Sequence, residues 1–216
     1  MNHVKILCFS LFLLPFWMQG VQAQEISYTK LVIQKGKSFT LHTSDTSGSL
    51  LIDTLIMEDR SQIQLWGKTE FTILAKNAYI GHNCLISGQD GQNNGTNFQI
   101  QMRLVSLDKL YIVACGRNRQ YGNPDYPNGD GGDVHFFYTE DGLIPQTDRP
   151  RQNRYLSVNV QGAEGSLNPA SDISILKSQI NQGGRVGNAL PGLRQGIVYE
   201  ASPGENGDFE LGILNF

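Results

Sequence analysis

The chain has 216 residues, a formal net charge of −3 and only 17% charged residues. No Lys/Arg cluster or stripe stands out, which argues against a nucleic-acid partner. The 24 glycines are the compositional outlier, yet apolar residues alternate well between the glycine clusters, which argues against a disordered chain.

In chain order, residues 1–23 read as a signal peptide. Lys5 precedes an apolar run over residues 6–18, and Val21-Gln22-Ala23 places small residues where cleavage needs them. The run is shorter than the roughly 20 residues of a bilayer span, and Cys8 lies inside it, too early for a lipid attachment. The expectation is a secreted, periplasmic or outer-membrane-surface protein that starts at Gln24 and has no transmembrane span after cleavage. Residues 24–48 form a strand/cap segment, expected as a β-hairpin with Gly36 between Tyr28, Leu31 and Ile33 on one side and Phe39 and Leu41 on the other.

Residues 49–138 carry the core. "LLIDTLIMEDRSQIQLWGKTEFTILAKNAYIGHNCLISG" breaks into apolar pieces of two to four residues separated by Asp, Ser, Gly or Asn. Turns come faster than in a hairpin sandwich, where turn signals recur about every 8–12 residues. "FQIQMRLVSLDKLYIVACG" repeats the cycle, and both cycles leave a strand at a glycine to enter a polar loop. The exits at Gly88, Gly116, Gly162 and Gly204 are unevenly spaced, so the pattern is a degenerate solenoid with loops of varying size on one edge. Residues 139–216 read as a β-rich extension. It holds a strand from Tyr155, a last strand through Phe209, Leu211 and Ile213, and one short helix over 171–182 with Ile173, Leu176 and Ile180 on one face. The fold class is therefore all-β: a short parallel β-helix or solenoid with Gly/Asn-rich loops, an N-terminal hairpin cap and one short helix.

The stretch "SLLIDTLIMEDRSQIQLWGKTEFTILAKNAYIGHNCLISGQDG" resembles the coils of right-handed parallel β-helix proteins exported by Gram-negative bacteria. "IDTLIMED" and "AYIGHNCLISG" resemble uncharacterised surface or envelope members of that kind with Gly-rich, loosely collagen-like loops. The likeness covers about residues 49–137. It implies a fold and no catalytic residues, because such folds include polysaccharide lyases, hydrolases and adhesins.

Candidate chemistry sits in the loops. Asp125, Asp130 and Asp133 are candidate calcium ligands, since calcium prefers oxygen donors from flexible loops; turn chemistry explains the same Asn/Asp/Gly content. Asp90, Asn93, Asn94, Tyr121 and Tyr126 are candidate ligand contacts, with Tyr138 and Trp66 as further aromatic surfaces. Cys84 and Cys115, 31 residues apart (115 − 84), either form a disulfide between stacked coils or stay as two buried thiols. Thr54, in Asp53-Thr54-Leu55, resembles an O-glycosylation site of some envelope bacteria, and Asn94-Gly95-Thr96 matches the N-glycan acceptor. "GQDGQNNG" lacks the Lys-Ser/Thr and the helix of a phosphate loop, and the histidines lack metal spacing. His82, beside Asn83, is expected as a turn residue.

These readings converge on a non-catalytic binding or structural protein of the cell envelope or surface that contacts an envelope protein or a glycan through its Gly/Asn-rich loops. No cofactor is implied apart from calcium. A carbohydrate-active lyase or hydrolase, or an inactive relative, is the alternative, with Asp125, Asp130, Asp133, Arg117 and Arg119 as its candidate set. A structural subunit of an outer-membrane assembly is the third.

Overall fold

The structure is a computed structural model and describes residues 24–42, 45–119, 121–123, 125–164 and 203–214. The expected signal peptide and the expected helix over 171–182 lie outside these residues. Eleven strands follow in order: β1 (Gln24–Ile33), β2 (Ser38–His42), β3 (Ser47–Met57), β4 (Gln62–Trp66), β5 (Glu70–Ile80), β6 (Cys84–Gln89), β7 (Asn97–Leu107), β8 (Lys109–Val113), β9 (Val134–Thr139), β10 (Tyr155–Asn159) and β11 (Phe209–Leu214). Odd-numbered strands build one sheet in the order β1-β3-β5-β7-β9-β11, and even-numbered strands build another in the order β10-β8-β6-β4-β2. Every strand pair is parallel. The chain is a parallel β-solenoid that alternates between two sheets as it winds.

Period-2 alternation places one side chain of each pair inside. The interior is a set of rows, one residue per coil. Phe39, Ile63, Ile86, Ile112 and Val158 stack in one row; Ile26, Leu50, Ile73, Ile100 and Phe136 stack in another, which the exposed Leu211 of β11 continues. Ile63, Ile73, Ile86, Ile100 and Ile112 are all fully buried. A β-branched residue fits such a pleated, packed surface.

Two expectations change. The short apolar pieces are halves of longer strands: β3, β5 and β7 each have 11 residues. Alternation breaks once in each, at Asp53-Thr54, Lys76-Asn77 and Val105-Ser106, where two successive residues face outward and the strand bends. The polar letters that suggested turns are these bends. The expected N-terminal hairpin is instead the first coil, because β1 pairs with β3 and β2 with β4, in different sheets. Gly36 turns the corner at φ +66°, and Arg60 (φ 59°) and Asn83 (φ 56°) occupy the equivalent corners of the next two coils. Asp59 and His82 carbonyls accept the Gly36 and Arg60 amides, so each corner rests on the one above.

The opposite corner holds the insertions after β6, β8 and β10, while the connection over 140–154 between β9 and β10 lies on the Gly36 side. The loops after β6, β8 and β10 leave there and pack on one another as extended segments outside the sheets. Asp130 donates its backbone N–H to Asn94 Oδ1 (2.9 Å), and Asp130 Oδ1 accepts from the Glu205 amide (2.8 Å). Three residues on, Asp133 N–H donates to Asn97 Oδ1 (2.9 Å), and Asp133 Oδ1 accepts from the Asp208 amide (2.8 Å). A spacing of three is the turn of a polyproline-II chain, in which a crowded inner position admits only glycine. Gly129 meets this condition: a Cβ there would fall inside the Asn93 carbonyl. Gly91, in the first loop, has open space around it.

Gly129→Ala is therefore expected to lower stability by about 2 kcal/mol or more, in the range of overpacked interiors. Gly91→Ala should change it by less than about 0.5 kcal/mol. Urea unfolding of the two variants beside the parent checks the contrast.

Candidate functional site

The loop residues expected to bind a ligand are engaged within the fold. Asp90 Oδ1 accepts the amides of Gln92 (2.7 Å) and Asn94 (2.8 Å), and Oδ2 accepts Asn94 Nδ2 (2.9 Å). It shapes its own loop, as Asp commonly does in turns. Asn93 is buried, with φ 75°, and its amide nitrogen donates to the carbonyls of Asn123 (2.8 Å) and Pro127 (3.0 Å). It ties the second loop to the first. Asn94 Oδ1 is taken by Asp130, and Thr96 is fully buried, so the Asn94-Gly95-Thr96 acceptor is embedded in the loop bundle.

Asp125 lies exposed in the outer part of the second loop, while Asp130 and Asp133 serve the ladder between segments. Among the described residues no group of three His, Cys, Asp or Glu side chains gathers to hold a cation. Tyr121 stands out into solvent at 80% exposure. Tyr126 is half-buried, and Tyr138 is a core residue stacked on Met102. Trp66 carries the Arg117 guanidinium over its ring, 5.7 Å from the centroid, with His42 stacked alongside. That contact fastens the second loop to the solenoid flank.

The cysteines are free. The residue one coil from Cys84 is Leu110, so Cys115 lies five residues past the stacked position, too far along the strand for a bond. Burial pushes both thiols up from their ordinary value, which disfavours the reactive thiolate. His82 sits in a corner as expected and bonds Asp108 Oδ2 at 3.0 Å. Thr54 is half-buried at the bend of β3.

A well-formed concavity lies elsewhere, on the outer face of the six-stranded sheet. A groove of about 850 Å³ runs from Ser27 and Tyr28 on β1 to Leu214 on β11. Six strands at ~4.8 Å make it roughly 24 Å long. Leu51 and Leu74 form its apolar floor and stack in register with Ser27 and Gln101. The bends supply one wall. Lys76 pairs with Asp53 (2.6 Å), and Arg103 Nε donates to Asp141 (2.7 Å) while Nη1 donates to Asn77 Oδ1 (2.7 Å). These contacts join four successive coils along the groove.

The Thr139 hydroxyl and the Arg103 guanidinium hold the Asp141 carboxyl below the usual carboxylate range. Thr139 Oγ1 has no well-formed hydrogen bond, so Arg103 is the partner with full geometry. Apart from Asp53, noted only as the neighbour of Thr54, none of these residues stands out in the sequence. The signal was there: Leu51/Leu74 and Asp53/Lys76 each lie 23 residues apart (74 − 51 and 76 − 53), one coil.

A carboxyl whose pKa is lowered by folding stabilises the fold above its unfolded pKa, near 4, and that contribution is lost as pH falls through the folded value. Asp141→Asn should therefore show a shallower loss of stability than the parent between about pH 5 and pH 2, read as urea midpoints against pH. No protein-family model, no curated protein and no solved structure matches the chain, so the geometry of the fold is what bears on its function.

Proposed function

We propose that the chain is an exported, non-catalytic binding protein of the cell envelope or surface that holds an extended polymer along the outer groove of its six-stranded sheet. The observation that carries this reading is the groove itself, which crosses all six strands and repeats an apolar floor position from β3 to β5. A ligand lying along the solenoid axis runs over Ser27, Leu51, Leu74 and Gln101 in turn, an apolar centre between polar ends, and this length suits an extended chain better than a compact metabolite. Binding sites are commonly concave and apolar with a few fixed polar groups, and the wall of Asp53, Lys76, Asn77, Arg103 and Asp141 supplies such groups.

The Gly/Asn-rich loops, first expected as the contact edge, then act as a brace that keeps the coils aligned. Tyr121, exposed in that bundle, is not part of the groove lining. A glycan-cleaving role needs two carboxyls, one of them held protonated as an acid. Here Asp53 and Asp141 each face a cation, and Asp141 is held ionised, which favours binding over cleavage.

Purified protein mixed with insoluble envelope polymer of the source organism should co-sediment without releasing soluble fragments. Leu74→Asp, which places a charge on the apolar floor, should abolish co-sedimentation, whereas Tyr121→Ala should weaken it at most slightly. Retention by Leu74→Asp, or release of fragments by the parent, would overturn the reading.

A further inference from the structure

We infer that the polymer held in this groove is an uncharged polysaccharide; the inference rests on the groove being the binding site. Two observations decide between ligand chemistries. The first is backbone satisfaction. The floor lies on the face of a sheet whose inner strands β3, β5, β7 and β9 are each paired on both sides. A peptide gains main-chain hydrogen bonds by adding to a sheet edge, and the groove floor exposes no edge. The ligand must be held through its faces and its own hydroxyl groups.

The second observation is charge. The acidic and basic groups of the lining are Asp53, Lys76, Arg103 and Asp141, and they form two closed ion pairs, Lys76–Asp53 and Arg103–Asp141. Along the coils the signs run minus, plus, plus, minus, and they sum to zero. An anionic polymer would have to compete with Asp53 and Asp141 for both cations, and a cationic one would meet Lys76 and Arg103 at the centre. A neutral sugar chain meets neither obstacle. Its rings offer apolar C–H faces to Leu51 and Leu74. Its hydroxyls can accept from the guanidinium N–H groups of Arg103 that Asp141 and Asn77 leave over; arginine carries five such donors. They can also exchange hydrogen bonds with Gln101 and Thr29. Arg103, already fixed at Nε and Nη1, is pre-organised for this and loses little freedom on binding.

The test uses defined soluble probes. Dextran, laminarin and mannan serve as neutral polymers, and polygalacturonate and dextran sulfate as acidic ones. Affinity electrophoresis and calorimetry are run with the parent and with Leu74→Asp. The expected result is binding to at least one neutral polymer that changes less than about twofold between about 0.05 and 0.5 M NaCl, because no charge pair between polymer and protein is there to be screened. Leu74→Asp should weaken it by roughly tenfold or more, with a circular dichroism spectrum like the parent's. Binding of an acidic polymer that is lost both in Leu74→Asp and in high salt would overturn the inference while leaving the groove as the site. If no probe binds in a Leu74-dependent way, the inference and the function it rests on both fall.

Discussion

The structure depends on backbone stacking between coils. Each chain segment rests on one that lies a full coil away in sequence, through parallel N–H to C=O ladders in the sheets and through similar bonds at the corners. Because a buried amide without a partner costs about as much as a lost hydrogen bond, every insertion has to leave the ladder and rejoin it in register. The loops after β6, β8 and β10 do this at one corner only, and they rejoin through backbone contacts of their own: Gly95 to Asp130, Gly132 to Ala114, Gly131 to Glu205 and Gly207 to Val160. Glycine is concentrated there because bare backbone is what faces bare backbone. The polar letters around it, Asn94, Asn97, Asp130 and Asp133, supply the side-chain oxygens that complete the contact.

The outer face of the six-stranded sheet keeps a groove that runs from β1 to β11, and the connection between β9 and β10 adds Asp141 to its lining. The bends at Asp53-Thr54 and Lys76-Asn77 begin a wall that Arg103 on β7 and Asp141 after β9 continue. Among the described residues the loop bundle takes up length changes on one side of the coil, and the connection over 140–154 does so on the other. In the interior, Gly88 lies one coil from Leu65, and the Phe98 ring and Thr96 side chain fill the space its missing Cβ leaves.

Much of this could be read from the letters, and the reasons for the failures are physical. The fold class was legible because short β-branched and apolar runs around Leu50, Ile63, Ile73 and Ile86 are punctuated by polar residues and no helical period competes. Strand length was not legible. Asp53-Thr54 and Lys76-Asn77 carry the composition of turns, yet parallel pairing on both sides holds them within the sheet. The repeat was hidden because it was sought at the glycines, where loops of unequal length intervene; at Gly36, Arg60 and Asn83 the interval is 24 and then 23 residues (60 − 36, 83 − 60). The site was missed for a related reason. Asp125, Asp130 and Asp133 attract attention as a cluster in sequence, while Asp53, Lys76, Arg103 and Asp141 become neighbours only once coils stack.

The most direct measurement is hydrogen exchange of the glycine amides in the loop bundle. These segments are stacked backbone that opens cooperatively with the sheets, and exchange reports how much structure must open to free each bond. Gly95, Gly129, Gly131 and Gly132 should exchange as slowly as Ile86 or Ile112 in the strands, although none of the four lies in a strand. Exchange at the rate of an open loop would contradict the account, because the coils would then have no brace and the groove no fixed wall.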